Sequence, residues 1–245
     1  MDEPEDIAER LVKQLTFVTE LRKSREAGKD TSAGRAALRA WQRARLAHTH
    51  ADLFGHPVFG KAASFFLSDI YGMGELAERD ASVMRIVPIM TRLLPTAGLE
   101  TVADAAELDA LTESLDAAMV DVLGPEAATL DNRAYARAYR RVDRGADRER
   151  QILLIDHLGH ALARLVHLPL IGATLRLMHR PARLMGFGQL QDILERGYAA
   201  LRGVEDLDKF LLLVRRRERR LMKALTAGDD SMLEWTGRTR RNGRR

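Results

Sequence analysis

Apolar residues along this chain recur at three- and four-residue spacing, strict alternation is missing, and Ala, Leu, Arg and Glu dominate, so the pattern predicts helices throughout. Nine are expected, over 5 to 27, 33 to 54, 58 to 71, 80 to 94, 98 to 123, 132 to 144, 147 to 179, 188 to 202 and 206 to 227. Breaks at Gly55-His56-Pro57, Gly124-Pro125, Gly145 and Gly186-Phe187-Gly188 carry turn chemistry. Pro88 and Pro169 fall inside apolar segments, where a missing amide and a ring clash kink or split a helix. The expected architecture is all-α: a single compact multi-helix bundle over 1 to 228 around a central apolar helix near 147 to 168, followed by a mobile basic tail, 229 to 245.

Three segments sharpen this picture. Phe54, Phe59, Phe65, Phe66 and Tyr71 place five of the thirteen aromatic residues within the 21 positions from Phe54 to Gly74. At about 100° per residue, Phe59, Ala62, Ala63, Phe66 and Ile70 share a face, with Phe65 and Asp69 on its flank, which predicts a buried aromatic knot edged by one carboxylate. The second helix carries Ala33, Ala37, Ala40, Ala44, Ala47, Ala51 and Phe54 at alternating four-three spacing, a seam expected to pack inside the domain, with a homodimer seam as the alternative. From Ile152 onward, Leu154, Ile155, Leu158, Ala161, Leu162, Leu165 and Val166 cover a wide arc, as a central helix requires.

With 46% hydrophobic residues over 245 positions the chain can bury a substantial core. The absence of cysteine excludes disulfides, thiolate-held clusters or zinc, and cysteine catalysis. The acidic start Met1-Asp2-Glu3-Pro4-Glu5-Asp6 is unlike a secretory signal, and no apolar run reaches about 18 residues, so neither secretion nor a membrane span is indicated and a cytoplasmic location is expected. Net charge is +4, but residues 202 to 245 hold thirteen Lys or Arg against seven Asp or Glu, which leaves the preceding part slightly acidic. The basic character belongs to the C-terminal end.

On the central helix, Asp156, His160, Arg164 and His167 fall on one narrow stripe, with His157 beside it. A carboxylate one turn before a histidine can orient its ring, and a nearby arginine can hold an anion, so this stripe, with Asp69 and Tyr71 of the aromatic knot, is the candidate ligand site. The other reading is a solvent-facing edge or an internal hydrogen-bond chain. Asp109, Glu113 and Asp116 form an acidic stripe opposite Leu108, Leu111, Leu115 and Met119, expected to face solvent unless a second layer covers it. Paired Glu-x-x-His motifs are missing, which argues against a di-iron centre, and no metal site or cofactor is assigned, haem included. Arg133, Arg137, Arg140, Arg141 and Arg144 make a basic stripe, repeated by Arg176, Arg180 and Arg183, that with the basic tail would grip phosphates if nucleic acid were the partner. Arg215-Arg216-Arg217-Glu218-Arg219-Arg220 interrupts a seam of Leu211, Val214, Leu221 and Leu225 and is expected to be a solvated helix side.

Phe65-Phe66-Leu67-Ser68-Asp69-Ile70-Tyr71-Gly72, followed by Glu78-Arg79-Asp80, Glu107-Leu108-Asp109-Ala110-Leu111 and Leu190-Gln191-Asp192-Ile193-Leu194-Glu195-Arg196-Gly197-Tyr198, resembles a group of uncharacterised proteobacterial proteins. These share a phenylalanine-phenylalanine-leucine-x-aspartate-isoleucine/leucine-tyrosine-glycine signature. The likeness covers most of residues 50 to 225 and implies a single helical domain, with no activity or site residue to carry over. Three expectations stand at this point: a non-catalytic protein binding a partner or a small apolar-anionic ligand, an enzyme, with metal or haem dependence left open, using the Asp156, His160 and Arg164 edge, or a nucleic-acid-associated protein.

Overall fold

A computed structural model describes residues 4–26, 32–66, 87–88, 91, 96–184 and 188–234. Among these, ten α-helices and two short 3-10 turns form an all-helical bundle without a strand. In chain order they are α1 (Pro4–Glu26), α2 (Ser32–Thr49), α3 (Ala51–Phe54), α4 (Gly60–Phe65), α5 (Thr96–Leu123), α6 (Asn132–Val142), α7 (Gly145–Val166), α8 (Ile171–Leu184), α9 (Gly188–Leu201) and α10 (Leu207–Thr226). The expected helix over 80 to 94 falls almost wholly outside the described residues, as do Asp69, Ile70 and Tyr71 of the aromatic segment. No single helix among the described residues is long and apolar enough to cross a membrane.

The helix expected over 147 to 179 is two helices. α7 ends at Val166, α8 begins at Ile171, and the chain turns by 100° between them. Pro169 is the cause, since it has no amide to continue the ladder and restricts the residue before it. α7 does occupy the middle of the fold, packed between α5 and α10. Gly159 makes the second contact possible, because a Cβ there would run into the Leu211 side chain.

α5 is covered on one flank by α1, where Ile7, Leu11 and Leu15, one helix face at i, i+4 and i+8, pack on Leu99, Ala103 and Ala106. Two larger clusters build the rest. One gathers Leu38, Met119, Leu221 and Leu225 around Trp41, whose ring stacks on Tyr135 at 3.7 Å. The other gathers Phe59, Phe65, Val166 and Phe210, with Phe210 5.7 Å from Phe59 and 5.5 Å from Phe66. α10 runs through both, and the site described below lies where they meet.

Four expectations are corrected. Phe66 is half-buried and Phe65 takes the buried place, its ring against the backbone at Gly197 of α9, where no side chain fits. The alanine seam of α2 does not face the core: Ala33, Ala40, Ala47 and Ala51 are exposed, while Leu38, Trp41, Gln42, Arg45 and Leu46 are buried. Alanine offers little area to bury, so the larger apolar side chains orient the helix, and the two polar residues between them go inward with their partners. Glu113 and Asp116 do not face solvent; they are 1% and 2% exposed. The second layer exists, and it is made of α1 and α2. Residues 229 to 233, expected to belong to the tail, close onto the domain: Leu233 is buried in the first cluster, Asn132 Nδ2 donates to its carbonyl oxygen, and Asp230 pairs with Arg140 at 2.6 Å.

Candidate functional site

Where α2, α6, α7 and α10 converge with the aromatic segment, they enclose a cavity of about 90 Å3. One wall is apolar, supplied by Phe54, Phe66, Phe210, Leu211 and Val214. The other is polar, with Arg45, His50, Arg148, Asp156, Arg215 and Glu218, and the ring of Tyr139 beside them. This space has room for a group several waters in size or the body of a small molecule.

Each polar side chain is delivered by a helix facing inward. Arg45 lies on the buried α2 stripe, at i+7 from Leu38, and its Nη1 reaches both Glu218 oxygens, at 2.6 and 2.7 Å. Glu218 occupies the vacant place in the α10 seam between Val214 and Leu221. His50 follows α2, and its Nε2 lies 2.9 Å from Glu218 Oε1. Burial works to raise the Glu218 carboxyl, but the Arg45 guanidinium and the His50 contact outweigh it and bring its pKa down to about 2. An ionised Glu218 only accepts, so Nε2 of His50 carries the proton. On the same wall, Arg215 Nη1 donates to Asp156 Oδ2 at 2.8 Å, and the Arg148 guanidinium sits 4.7 Å from the Tyr139 ring centre. Burial raises the Tyr139 hydroxyl to about 12, so it stays protonated.

Among the buried side-chain atoms on this wall that lack a hydrogen-bond partner are His50 Nδ1, Arg148 Nη2 and Asp156 Oδ1. Buried polar groups are almost always satisfied, at a cost of about 1 to 3 kcal/mol for each that is not. Their gathering on one cavity wall is what a binding site leaves behind. Three guanidinium groups face two carboxylates there, so the wall carries an excess of positive charge.

The sequence-derived stripe is divided by this geometry. Asp156 is buried and lines the cavity. His160 is half-buried and turned away, its Nδ1 2.7 Å from the Asp156 backbone oxygen and its Nε2 3.5 Å from Asp208 Oδ1. Arg164 and His167 are exposed and do not reach the cavity, because they lie on the outer side of the last turns of α7. Asp69 and Tyr71 lie outside the described residues. Arg45, His50, Arg148, Arg215 and Glu218 were missed, and the signal that marks two of them is an ionisable residue at a position where the apolar repeat demands a leucine.

A second buried polar network lies outside the cavity. Arg39 Nε donates to Asp116 at 3.3 Å and its Nη2 to Glu113, while Gln42 Nε2 donates to Asp116 at 3.0 Å and Arg35 lies 3.5 Å from Glu113. Burial raises the Asp116 carboxyl despite these donors. The acids are fully engaged in holding α2 on α5. His179, Asp192 and Glu195 also come within ligating distance of one another, yet Arg183 holds Asp192 at 2.8 Å and Gln191 donates to Glu195 at 2.9 Å. The arginine stripe of α6 is tied down too: Arg137 to Glu126, Arg140 to Asp230 and Arg144 to Asp147, with Arg133 exposed beside them. In α10, Arg217 pairs with Asp52 and Arg219 with Glu149, so the run expected to be a solvated side is a row of ties between helices.

Fold and site together define an all-helical protein with a mixed polar and aromatic cavity at the junction of four helices. The chain belongs to the family described as a domain of unknown function, DUF8198, whose model matches residues 21–232. No curated protein and no solved structure matches it.

Proposed function

We propose that this protein binds a small apolar-anionic ligand in the cavity between α2, α6, α7 and α10. The observation that carries the reading is the convergence of His50 Nδ1, Arg148 Nη2 and Asp156 Oδ1, all without protein partners, opposite the Phe54, Phe66 and Phe210 wall. Each atom specifies part of the ligand. Arg148 Nη2 offers a charged donor to an anionic oxygen, His50 Nδ1 accepts, and Asp156 Oδ1 accepts from a hydroxyl or ammonium group. The matching molecule is compact, with a ring or branched apolar body, one carboxylate and one hydroxyl. Native mass spectrometry of the purified protein tests this directly, together with melting in a panel of hydroxylated aromatic acids. A true ligand at a hundred times its Kd adds about 2.7 kcal/mol of stability. Arg148→Ala is expected to abolish the shift, and a panel that leaves both parent and variant unmoved defeats the reading.

A second reading keeps the cavity and adds chemistry. Glu218 fixes the His50 tautomer with its proton on Nε2, which leaves the Nδ1 lone pair without a protein donor, the arrangement of an oriented general base. Its test is whether a bound acid is converted over time by the parent and not by His50→Gln, read by mass spectrometry of the released compound.

A further inference from the structure

α8 is built the wrong way round for a core helix. Its inward face is made of small and polar contacts: Gly172 lies under the Tyr198 ring, Ala182 is buried, His179 meets Glu195 at 2.8 Å, and Gln191 of α9 donates to the Leu175 carbonyl at 2.6 Å. Leu177, Met178 and Leu184 are exposed. Leu177 is 77% exposed and Leu184 89%, two turns apart on one stripe, and Leu170, just before the helix, is also 77% exposed. Leu168 extends the apolar surface into the α7–α8 turn.

A single exposed leucine needs no explanation, but four on one helix and the turn before it mark an interaction surface. The backbone adds an independent sign. Leu170 sits at φ 74, in the left-handed region that a leucine adopts at a cost, so both its conformation and its exposure are unfavourable in the isolated chain.

Charge identifies the occupant. From His157 to Gln191 the sequence contains no Asp or Glu, while it carries Arg164, Arg176, Arg180 and Arg183. Arg176 and Arg180 lie along one edge of the leucine stripe, and neither is engaged by a carboxylate among the described residues. An apolar stripe with an arginine edge on a helix lying flat on the domain is the geometry that seats in the boundary between headgroups and acyl chains of an anionic bilayer. A second copy of the chain fits poorly, because an antiparallel two-fold pairing of α8 would bring the two arginine edges together.

We infer that α8 and the turn before it form a docking face for an anionic membrane surface, with Leu170, Leu177 and Leu184 entering the interface and Arg176 and Arg180 meeting the headgroups. The helix lies on the membrane and does not span it. This face is separate from the cavity, and its test does not depend on the ligand.

The test is co-sedimentation of the full chain with vesicles of phosphatidylglycerol and phosphatidylcholine in equal parts, against vesicles of phosphatidylcholine alone. The chain should pellet with the mixed vesicles and release in high salt. Leu177→Glu with Leu184→Glu should weaken binding by about tenfold or more for each leucine. Arg176→Gln and Arg180→Gln should each weaken it about fivefold, with melting unchanged. Failure to pellet with mixed vesicles, equal pelleting with neutral ones, or full binding by either pair of variants overturns the inference. A lipid-free dimer that the leucine variants convert to monomer overturns it as well and assigns the face to a second copy.

Discussion

Arg45 and Glu218 stand 173 positions apart in the chain and meet with a single guanidinium nitrogen between both carboxylate oxygens, at 2.6 and 2.7 Å. The contact joins α2 to α10 on the cavity wall, and the carboxylate is shared with His50. Removing one partner of such a pair strands the other charge in the interior, which is far costlier than never having had the pair.

Glu218→Gln is therefore expected to lower stability by about 3 to 5 kcal/mol at neutral pH. The pH dependence has a definite sign. The folded-state pKa is lowered from its ordinary 4.5 to about 2, so the stabilisation is present above 4.5 and is lost as pH falls toward 2. Denaturant titrations across that window should show the parent and the variant converging in acid. A constant gap between them would mean that Glu218 acts through packing alone.

Asp116 acts in the opposite direction. Burial raises its folded-state pKa above the ordinary 3.8, so whatever it contributes is greatest below that value and declines as pH rises through the folded pKa. Asp116→Asn should flatten this limb, and the variant should improve relative to the parent as pH rises from acid toward neutrality. Chemical denaturation at a series of pH values reads the difference. A variant that loses ground as pH rises would show that Arg39 needs the charge.

Gly159→Ala sets two effects against each other. Replacing a mid-helix glycine gains about 1 kcal/mol in backbone propensity. The added methyl would collide with Leu211, which is buried and has little room to move, and overpacking costs about 1 to 3 kcal/mol. A net loss is expected, visible as a lower denaturant midpoint, and a net gain would show that Leu211 has another rotamer to go to.

A chain ending at Glu234 should be more stable than one ending at Gly228 by about 2 to 5 kcal/mol, the usual worth of a buried leucine, because only the longer chain retains Leu233. Calorimetry of the two truncations settles it. Equal melting temperatures would mean that Leu233 contributes no packing.

The helices were legible because burial of leucine and valine at helical spacing dominates their formation, and Pro169 announced its own break. The cavity was largely illegible. A hydrophobic pattern treats Arg45 and Glu218 as interruptions, yet each occupies a core position of its own helix, and only the meeting of two such interruptions from distant helices makes them a site. Glu113 and Asp116 were misread for the same reason, since the face opposite a leucine stripe is solvated only if nothing else covers it. The stripe on α7 led to Asp156 but not beyond, because helical phase groups residues along an axis and cannot say where the cavity ends.

The walls of the cavity are drawn from three stretches far apart in the chain, Arg45 to Phe66, Tyr135 to Asp156 and Phe210 to Leu225. During synthesis α2 emerges early with Gln42 and Arg45 aimed at a core that does not yet exist, and α10, carrying Arg215 and Glu218, comes last. At about 5 to 20 residues per second, the interval between Arg45 and Glu218 is on the order of ten seconds or more. Throughout it Arg45 lacks Glu218, and Asp156, when it appears, still lacks Arg215.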